Sequence, residues 1–217
     1  MPMFSDRIEA KWIDMFSQVF GLCKVKEGDA AAILSESQSR NLNVHLAELA
    51  LLSLGAKVFH VQLPTPPQMG SVPIRSTGAS NSIQGIEPVI AALSSSAIVI
   101  DCTVEGMLHA PELPRILNGG ARLIMVSNEH PDVLERLVPD PELEPKVKLG
   151  AKMLSQASVM AVRSDAGTDL KIDISDTRGA GVWGYCDRPG SVAHWPGGLV
   201  LCFPKAQAVN GTLVMDS

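Results

Sequence analysis

Residues 97–126, AIVIDCTVEGMLHAPELPRILNGGARLIMV, contain two apolar strand patterns with a short helical pattern between them. Residues 97–101 and 122–126 are nearly continuous runs of Val, Ile and Leu, and residues 111–117 have helical spacing. Apolar strands without alternation are typical of a parallel sheet that is covered on both faces. This stretch therefore predicts one strand–helix–strand unit of an α/β fold.

The same alternation extends to both sides of this unit. Strand patterns are found at 56–63 and 159–163, and a short apolar run at 30–34. Helical patterns are found at 7–21, 41–54, 83–93, 131–138 and 141–156. Successive strands of this kind usually join one sheet through short crossover connections. We therefore expect residues 1–163 to form a Rossmann-like α/β domain, a mostly parallel sheet with helices on both faces.

The pattern changes after residue 164. Short strand patterns at 170–174, 198–203 and 212–215 are separated by Gly, Pro and Asp, and no further helical pattern occurs. The chain ends directly after an apolar run. We expect residues 164–217 to be the beginning of a β-rich second domain that is incomplete at Ser217.

Composition excludes several classes of partner. The formal net charge is −5 and no long basic run occurs, so the chain lacks the positive surface that nucleic-acid binding needs. The first residues do not resemble a signal peptide and no run of 18 apolar residues occurs, which predicts a cytoplasmic protein without a membrane partner. The four cysteines form no C-x-x-C motif and are expected to be reduced, mostly buried thiols.

Residues 179–184 match the G-x-G-x-x-G motif of dinucleotide-binding proteins letter for letter. That motif works only when a helix begins after the glycines, because the amino end of the helix binds the pyrophosphate. Pro189 and Gly190 follow too closely for such a helix. We therefore interpret these glycines as turns between short strands.

Three residues are candidates for function from their position alone. Asp101 and His109 follow a predicted parallel strand, and open α/β sheets bind ligands at the carboxyl ends of their strands. His194 precedes Trp195-Pro196-Gly197-Gly198, where the glycines let a ligand approach the backbone. Each also has a structural interpretation, with Asp101 as a cap or turn former, His109 as a packing residue and His194 as a turn residue.

The histidines and acidic residues show no spacing that is typical of a metal site. No H-E-x-x-H, H-x-D or H-x-H motif occurs, which makes a complete metal site within these residues an unfavoured hypothesis. The remaining histidines are expected to be structural: His45, His60 and His130. No G-x-S-x-G motif supports a serine hydrolase.

Four segments carry a resemblance to a known family. They are VRSDAGTDL at 162–170, GYCDRPG at 184–190, HWPGG at 194–198 and NGTLVMD at 210–216. In these segments the sequence resembles the 2,5-dihydroxypyridine 5,6-dioxygenases, which are non-haem Fe(II) enzymes of nicotinate catabolism related in fold to aminopeptidase T. The resemblance covers nearly the whole chain but only about the first 60% of the usual family length, so it implies the N-terminal part of such an enzyme.

The resemblance implies specific roles for several residues. His109 and His194 match pocket histidines suited to proton transfer, and Leu108, Tyr185 and Trp195 match residues that contact the substrate. The substrates would be a hydroxypyridine and dioxygen, and the product a ring-opened, N-formylmaleamate-like acid. The family's iron ligands, two His and one Asp, lie in the C-terminal part that has no counterpart here, so this chain alone is expected to lack the metal and to be inactive.

The resemblance also implies a homo-oligomer, and it leaves the exact substrate open. Val182 occupies the position of a family pocket Glu, so which hydroxylated N-heterocycle is the substrate is not determined.

Two alternatives remain. A metal-dependent aminopeptidase shares the motif at 168–170, but aminopeptidase T has a metal-binding Glu where this chain has Leu199, and leucine cannot bind a cation. The other alternative is a truncated, non-catalytic binding module.

Overall fold

The computed structural model describes residues 7–67 and 79–215, and within these ranges it contains six helices and ten strands. The helices are α1 Ala10–Leu22, α2 Asn41–Ser53, α3 Glu87–Ser94, α4 Leu113–Asn118, α5 Pro131–Glu135 and α6 Leu143–Gln156. The strands are β1 Ala30–Glu36, β2 Lys57–Leu63, β3 Ile98–Asp101, β4 Arg122–Val126, β5 Val159–Arg163, β6 Asp169–Asp173, β7 Ala180–Val182, β8 Val192–Trp195, β9 Leu199–Leu201 and β10 Val209–Thr212. None of the helices in these ranges has both the length and the apolar character needed to cross a membrane.

The chain divides into two units. Unit 1 comprises Met1–Pro139 and Gly184–Gly197, and unit 2 comprises Asp140–Trp183 and Gly198–Ser217. The division differs from the boundary between residues 163 and 164 that we expected from the sequence, because the chain returns to unit 1 for the segment that contains β8.

Unit 1 is built on a five-stranded sheet in the order β2-β1-β3-β4-β8, with all neighbours parallel. Every residue of β3 and β4 is buried, which explains why their sequences are apolar without alternation. On one face, residues of α3 and α4 pack with Leu34, Val99 and Leu123 of the strands. On the other face, Phe16 of α1 packs against Trp195 of β8. The predicted parallel sheet with helices on both faces is confirmed.

One strand of this unit was missed, and two predicted helices need correction. β8 was not predicted, and it places His194 in unit 1 rather than in the second domain, where we expected it. The helix predicted from residue 83 begins at Glu87, since Gly85 has a φ of +73° and Pro88 fits only the first turn. The helix predicted over 131–138 ends at Glu135.

Unit 2 contains α6 and two small antiparallel sheets, β10-β6-β5 and β7-β9. The strand at 159–163, which we expected in the parallel sheet, is β5 and pairs antiparallel with β6. The glycines of the G-x-G-x-x-G match lie in and around β7, which pairs with β9, so no helix follows them. These glycines are therefore parts of short strands and turns, as interpreted from the sequence.

Candidate functional site

The carboxyl ends of the parallel strands bring polar side chains to one edge of the sheet in unit 1. Asp101 of β3 pairs with Met125 of β4, and Met125 pairs with His194 of β8. Side chains of residues paired in this way project from the same face of the sheet, so Asp101 and His194 lie on one face. Their strands are separated by β4, which places their backbones roughly 10 Å apart. This is the face that α3 and α4 cover.

Asp101 is fully buried and organises the loop that follows β3. Its Oδ1 accepts hydrogen bonds from the backbone N–H and the hydroxyl of Thr103, at 3.0 and 2.6 Å, and its Oδ2 accepts one from the N–H of Met107 at 2.7 Å. Burial raises the pKa of Asp101 to about 6, although these hydrogen bonds oppose the shift. The structure therefore supports the turn-forming interpretation of Asp101, which acts on loop geometry.

A second buried carboxyl group, that of Glu36, lies at the end of β1 and was missed by the sequence analysis. Its Oε1 accepts a hydrogen bond of 2.8 Å from the Ser80 hydroxyl, whereas its Oε2 is buried without a hydrogen-bond partner in the part of the chain that is described. The charge of Glu36 adds to the raised pKa of Asp101. The sequence signal that could have identified Glu36 is its position just after the apolar run 30–34. In a parallel sheet, ligands bind at the carboxyl ends of the strands.

His109 is exposed in the turn that leads from β3 to α4. The loop before it packs closely on the sheet, because a Cβ atom at Gly106 would overlap the side chain of Met125. Met125 is the direct neighbour of His194 in the sheet. The structure thus brings the His109 loop and His194 to the same edge and face, with Met125 between them.

His194 is partly exposed, but its Nε2 atom is buried and has no hydrogen-bond partner among the described residues. Burial lowers the pKa of His194, and a hydrogen bond to the backbone of Pro196 opposes that shift. The imidazole is therefore mostly neutral at pH 7. A neutral imidazole with an unpaired ring nitrogen can accept or donate a hydrogen bond to a ligand.

The three predicted substrate-contact residues have different environments. Leu108 is partly exposed beside His109, whereas Tyr185 is 7% exposed and Trp195 is fully buried. The Trp195 indole N–H donates to the Leu137 carbonyl at 2.9 Å, and its ring lies edge-on against Phe16 with centroids 4.9 Å apart. Because side chains alternate along a strand, Trp195 projects from the face opposite to His194. Its substrate contact stays a prediction, while the structure gives it a packing role.

The fold and this edge define an α/β protein with a candidate small-molecule site at the carboxyl ends of parallel strands, where such sheets generally bind ligands. A sequence model of the family described as NicX, 2,5-dihydroxypyridine 5,6-dioxygenase, matches residues 11–217. The chain therefore belongs to the 2,5-dihydroxypyridine 5,6-dioxygenase family.

One curated relative and one solved structure agree with this assignment. The chain is 33% identical over 210 residues to the 2,5-dihydroxypyridine 5,6-dioxygenase of Pseudomonas putida, a match that covers 95% of this chain and 59% of the relative. The solved structure of the dioxygenase from Pseudomonas putida KT2440 superposes with a TM-score of 0.84 at 30% identity, covering 95% of this chain and 60% of that one. The chain thus spans about three-fifths of the length of these relatives.

Membership of a dioxygenase family suggests a metal cofactor. Within residues 7–67 and 79–215, no group of three or more His, Cys, Asp or Glu side chains is arranged to hold a metal ion. Asp101 uses both carboxylate oxygens in hydrogen bonds to its own loop. The described residues therefore do not fit a metal ion by themselves.

Proposed function

We propose that this chain is the N-terminal part of an Fe(II)-dependent dioxygenase that opens the ring of 2,5-dihydroxypyridine or a related hydroxylated N-heterocycle in nicotinate-type catabolism. The observation that carries the proposal is the superposition on the Pseudomonas putida dioxygenase, with a TM-score of 0.84 over 95% of this chain. The remaining two-fifths of that enzyme's length would supply the iron ligands. The proposal includes a cytoplasmic location and a homo-oligomeric assembly.

His194 is the proposed proton acceptor for a ring hydroxyl of the substrate. Its pKa is lowered by burial, so the imidazole is available in its neutral form at pH 7. The buried Nε2 has no partner among the described residues that would compete with a ligand. A hydroxypyridine hydroxyl is a hydrogen-bond donor that would satisfy it.

His109 is the second proposed site residue, and Asp101 is its positioning residue. The exposed imidazole of His109 follows a loop that Asp101 holds through its hydrogen bonds to Thr103 and Met107. Leu108 would contribute apolar contact next to it. Tyr185 and Trp195 would then support the site from the buried side.

The test uses a chimera in which residues 1–217 are followed by the C-terminal part of the Pseudomonas putida enzyme. After anaerobic loading with Fe(II), oxygen uptake is measured with 2,5-dihydroxypyridine. We expect uptake by the chimera and a fall of about 100-fold or more in kcat for His194→Ala, the usual cost of losing a proton-transfer group. His45→Ala is the matched control, because His45 is an exposed histidine of α2.

Two results would contradict this proposal. A folded, iron-loaded chimera that ignores hydroxypyridines but hydrolyses a leucine anilide would favour the aminopeptidase alternative. Turnover within about twofold of the parent chimera in both His109→Ala and His194→Ala would remove the roles assigned to these histidines.

A further inference from the structure

Two cysteines that are far apart in the sequence meet in unit 1. Cys23 ends α1 and Cys186 lies in the segment before β8, and their Sγ atoms are 3.7 Å apart. Both are buried, with exposed fractions of 0% and 2%. The pair could not be recognised from a C-x-x-C motif, because 163 positions separate the two residues.

The surroundings make the two thiols chemically different. The backbone N–H and the thiol of Cys186 both donate towards the Sγ of Cys23, at 3.5 and 3.7 Å. The hydrogen bond from the Cys186 thiol is the main cause that lowers the pKa of Cys23, and the nearby Arg122 guanidinium adds to it, whereas burial opposes it. The same hydrogen bond raises the pKa of Cys186. Cys23 is therefore the thiol that ionises first, and Cys186 stays protonated beside it.

Arg122 is held rigidly in this arrangement. Its guanidinium donates to the backbone carbonyls of Cys23, Lys24 and Ala97, and it forms an ion pair of 3.1 Å with Asp29. Arg122 is only 8% exposed, and its guanidinium cannot move away from Cys23 without breaking these bonds. The folded chain thus keeps a positive charge near Cys23 that stabilises its thiolate.

A cavity of about 400 Å³ lies next to the pair, at the amino edge of the sheet. Its lining includes Arg122 together with Lys24 and Asp187, the chain neighbours of Cys23 and Cys186. A small oxidant in this cavity would contact Lys24 and Asp187, and a local opening of these chain neighbours would bring it to the Cys23 sulfur, which does not itself line the cavity. The site lies at the opposite end of the strands from His194, so it is separate from the proposed dioxygenase site.

We infer that Cys23 and Cys186 form a redox-active dithiol that a hydroperoxide oxidises to an intramolecular disulfide. The Cys23 thiolate attacks the outer oxygen of the peroxide and the O–O bond breaks, so Cys23 becomes a sulfenic acid. The leaving hydroxide or alkoxide takes up the proton that the Cys23 thiol gave up on ionising, and departs as water or an alcohol. The Cys186 sulfur then attacks the Sγ of Cys23, and the S–O bond breaks with release of water. To form the disulfide, the two sulfur atoms must close from 3.7 Å to the bond length of about 2.05 Å.

The test oxidises the purified chain with hydrogen peroxide and needs no iron or substrate. After quenching and denaturation, the count of free thiols should fall from four to two, and dithiothreitol should restore all four. Trypsin should then release a cross-linked pair of peptides, residues 12–24 and 179–205. Because Cys202 lies in the second peptide, the assignment is made in the Cys202→Ser variant, and Cys102→Ser is the matched control that should form the same cross-link.

A variant without the second thiol tests the order of the two steps. In Cys186→Ser the sulfenic acid at Cys23 cannot be resolved, so dimedone should label Cys23 and no cross-link should form. A folded chain that keeps four free thiols under peroxide, or a cross-link that joins any other pair of cysteines, overturns the inference. A Cys186→Ser chain in which Cys23 stays unlabelled overturns the assignment of Cys23 as the attacking thiol.

Discussion

The buried carboxyl group of Asp101 makes the stability of the chain depend on pH in an unusual direction. The group is fully buried, and burial outweighs three hydrogen bonds that favour the charged form. The pKa of Asp101 is therefore about 6 in the folded chain, against an ordinary value of 3.8. The folded state holds this proton more tightly than the unfolded state does.

The sign and size of the effect follow from proton linkage. The contribution of Asp101 to the free energy of unfolding is fully present below pH 3.8 and is lost as the pH rises through about 6. A difference between 3.8 and about 6 corresponds to about 3 kcal/mol at 1.36 kcal/mol per pKa unit. Most acidic groups act in the opposite sense, because pairing lowers their pKa in the folded state.

Asp101→Asn removes this titration but places two hydrogen-bond donors opposite each other. The amide oxygen can still accept from Thr103, whereas the amide NH2 must face the N–H of Met107, so the variant is less stable than the parent at pH 4. At pH 4 the unfolded carboxyl group is already partly ionised, so between pH 4 and pH 7 we expect the stability difference to move by about 2 kcal/mol in favour of the variant.

Urea unfolding at pH 4, 5, 6 and 7 measures this difference. Asp176→Asn, which replaces an exposed carboxylate paired with Lys205, controls for the general effect of removing one acidic group. If the difference between parent and Asp101→Asn stays constant within about 0.5 kcal/mol across this range, Asp101 does not hold its proton more tightly in the folded state and the argument from burial is refuted.

Two further substitutions test the packing around the candidate site. Gly106→Ala should cost roughly 1–3 kcal/mol more than Gly28→Ala, since both glycines have positive φ, at +79° and +82°, but only the Cβ at Gly106 would overlap Met125. Equal costs in chemical denaturation would show that the loop does not pack on Met125 as described. Trp195→Phe should cost about 1–2 kcal/mol through the lost hydrogen bond to the Leu137 carbonyl, and Trp195→Ala about 3–5 kcal/mol through the additional cavity. Similar losses for the two Trp195 variants would contradict a mainly packing role for the ring.

The central strands were predictable because their signal is local. Apart from polar residues at their ends, the segments that form β1, β3 and β4 are apolar runs, and this pattern needs no knowledge of the rest of the chain. The strand at 159–163 was also recognised, but its partner was not. A short, mostly apolar segment can pair with a parallel or an antiparallel neighbour, and only the fold brings β6 beside it.

The candidate site was harder to predict because it depends on contacts between distant segments. His194 was selected from its neighbours Trp195 and Pro196, yet its strand has only four residues and pairs with β4, far away in the sequence. The opposite orientations of His194 and Trp195 follow only once this strand is known. Glu36 was missed for the same reason, since the serine that donates to its buried carboxylate lies 44 positions away.

The return of the chain to complete the sheet with β8 has a consequence for biosynthesis. As the polypeptide leaves the ribosome, β4 emerges about 70 residues before its parallel neighbour, and each of its five residues becomes buried in the finished sheet. During that interval β4 is an open, apolar edge, the kind of strand that joins other chains into aggregates. This edge of β4 therefore stays open in the nascent chain until residues 192–195 have emerged and paired with it.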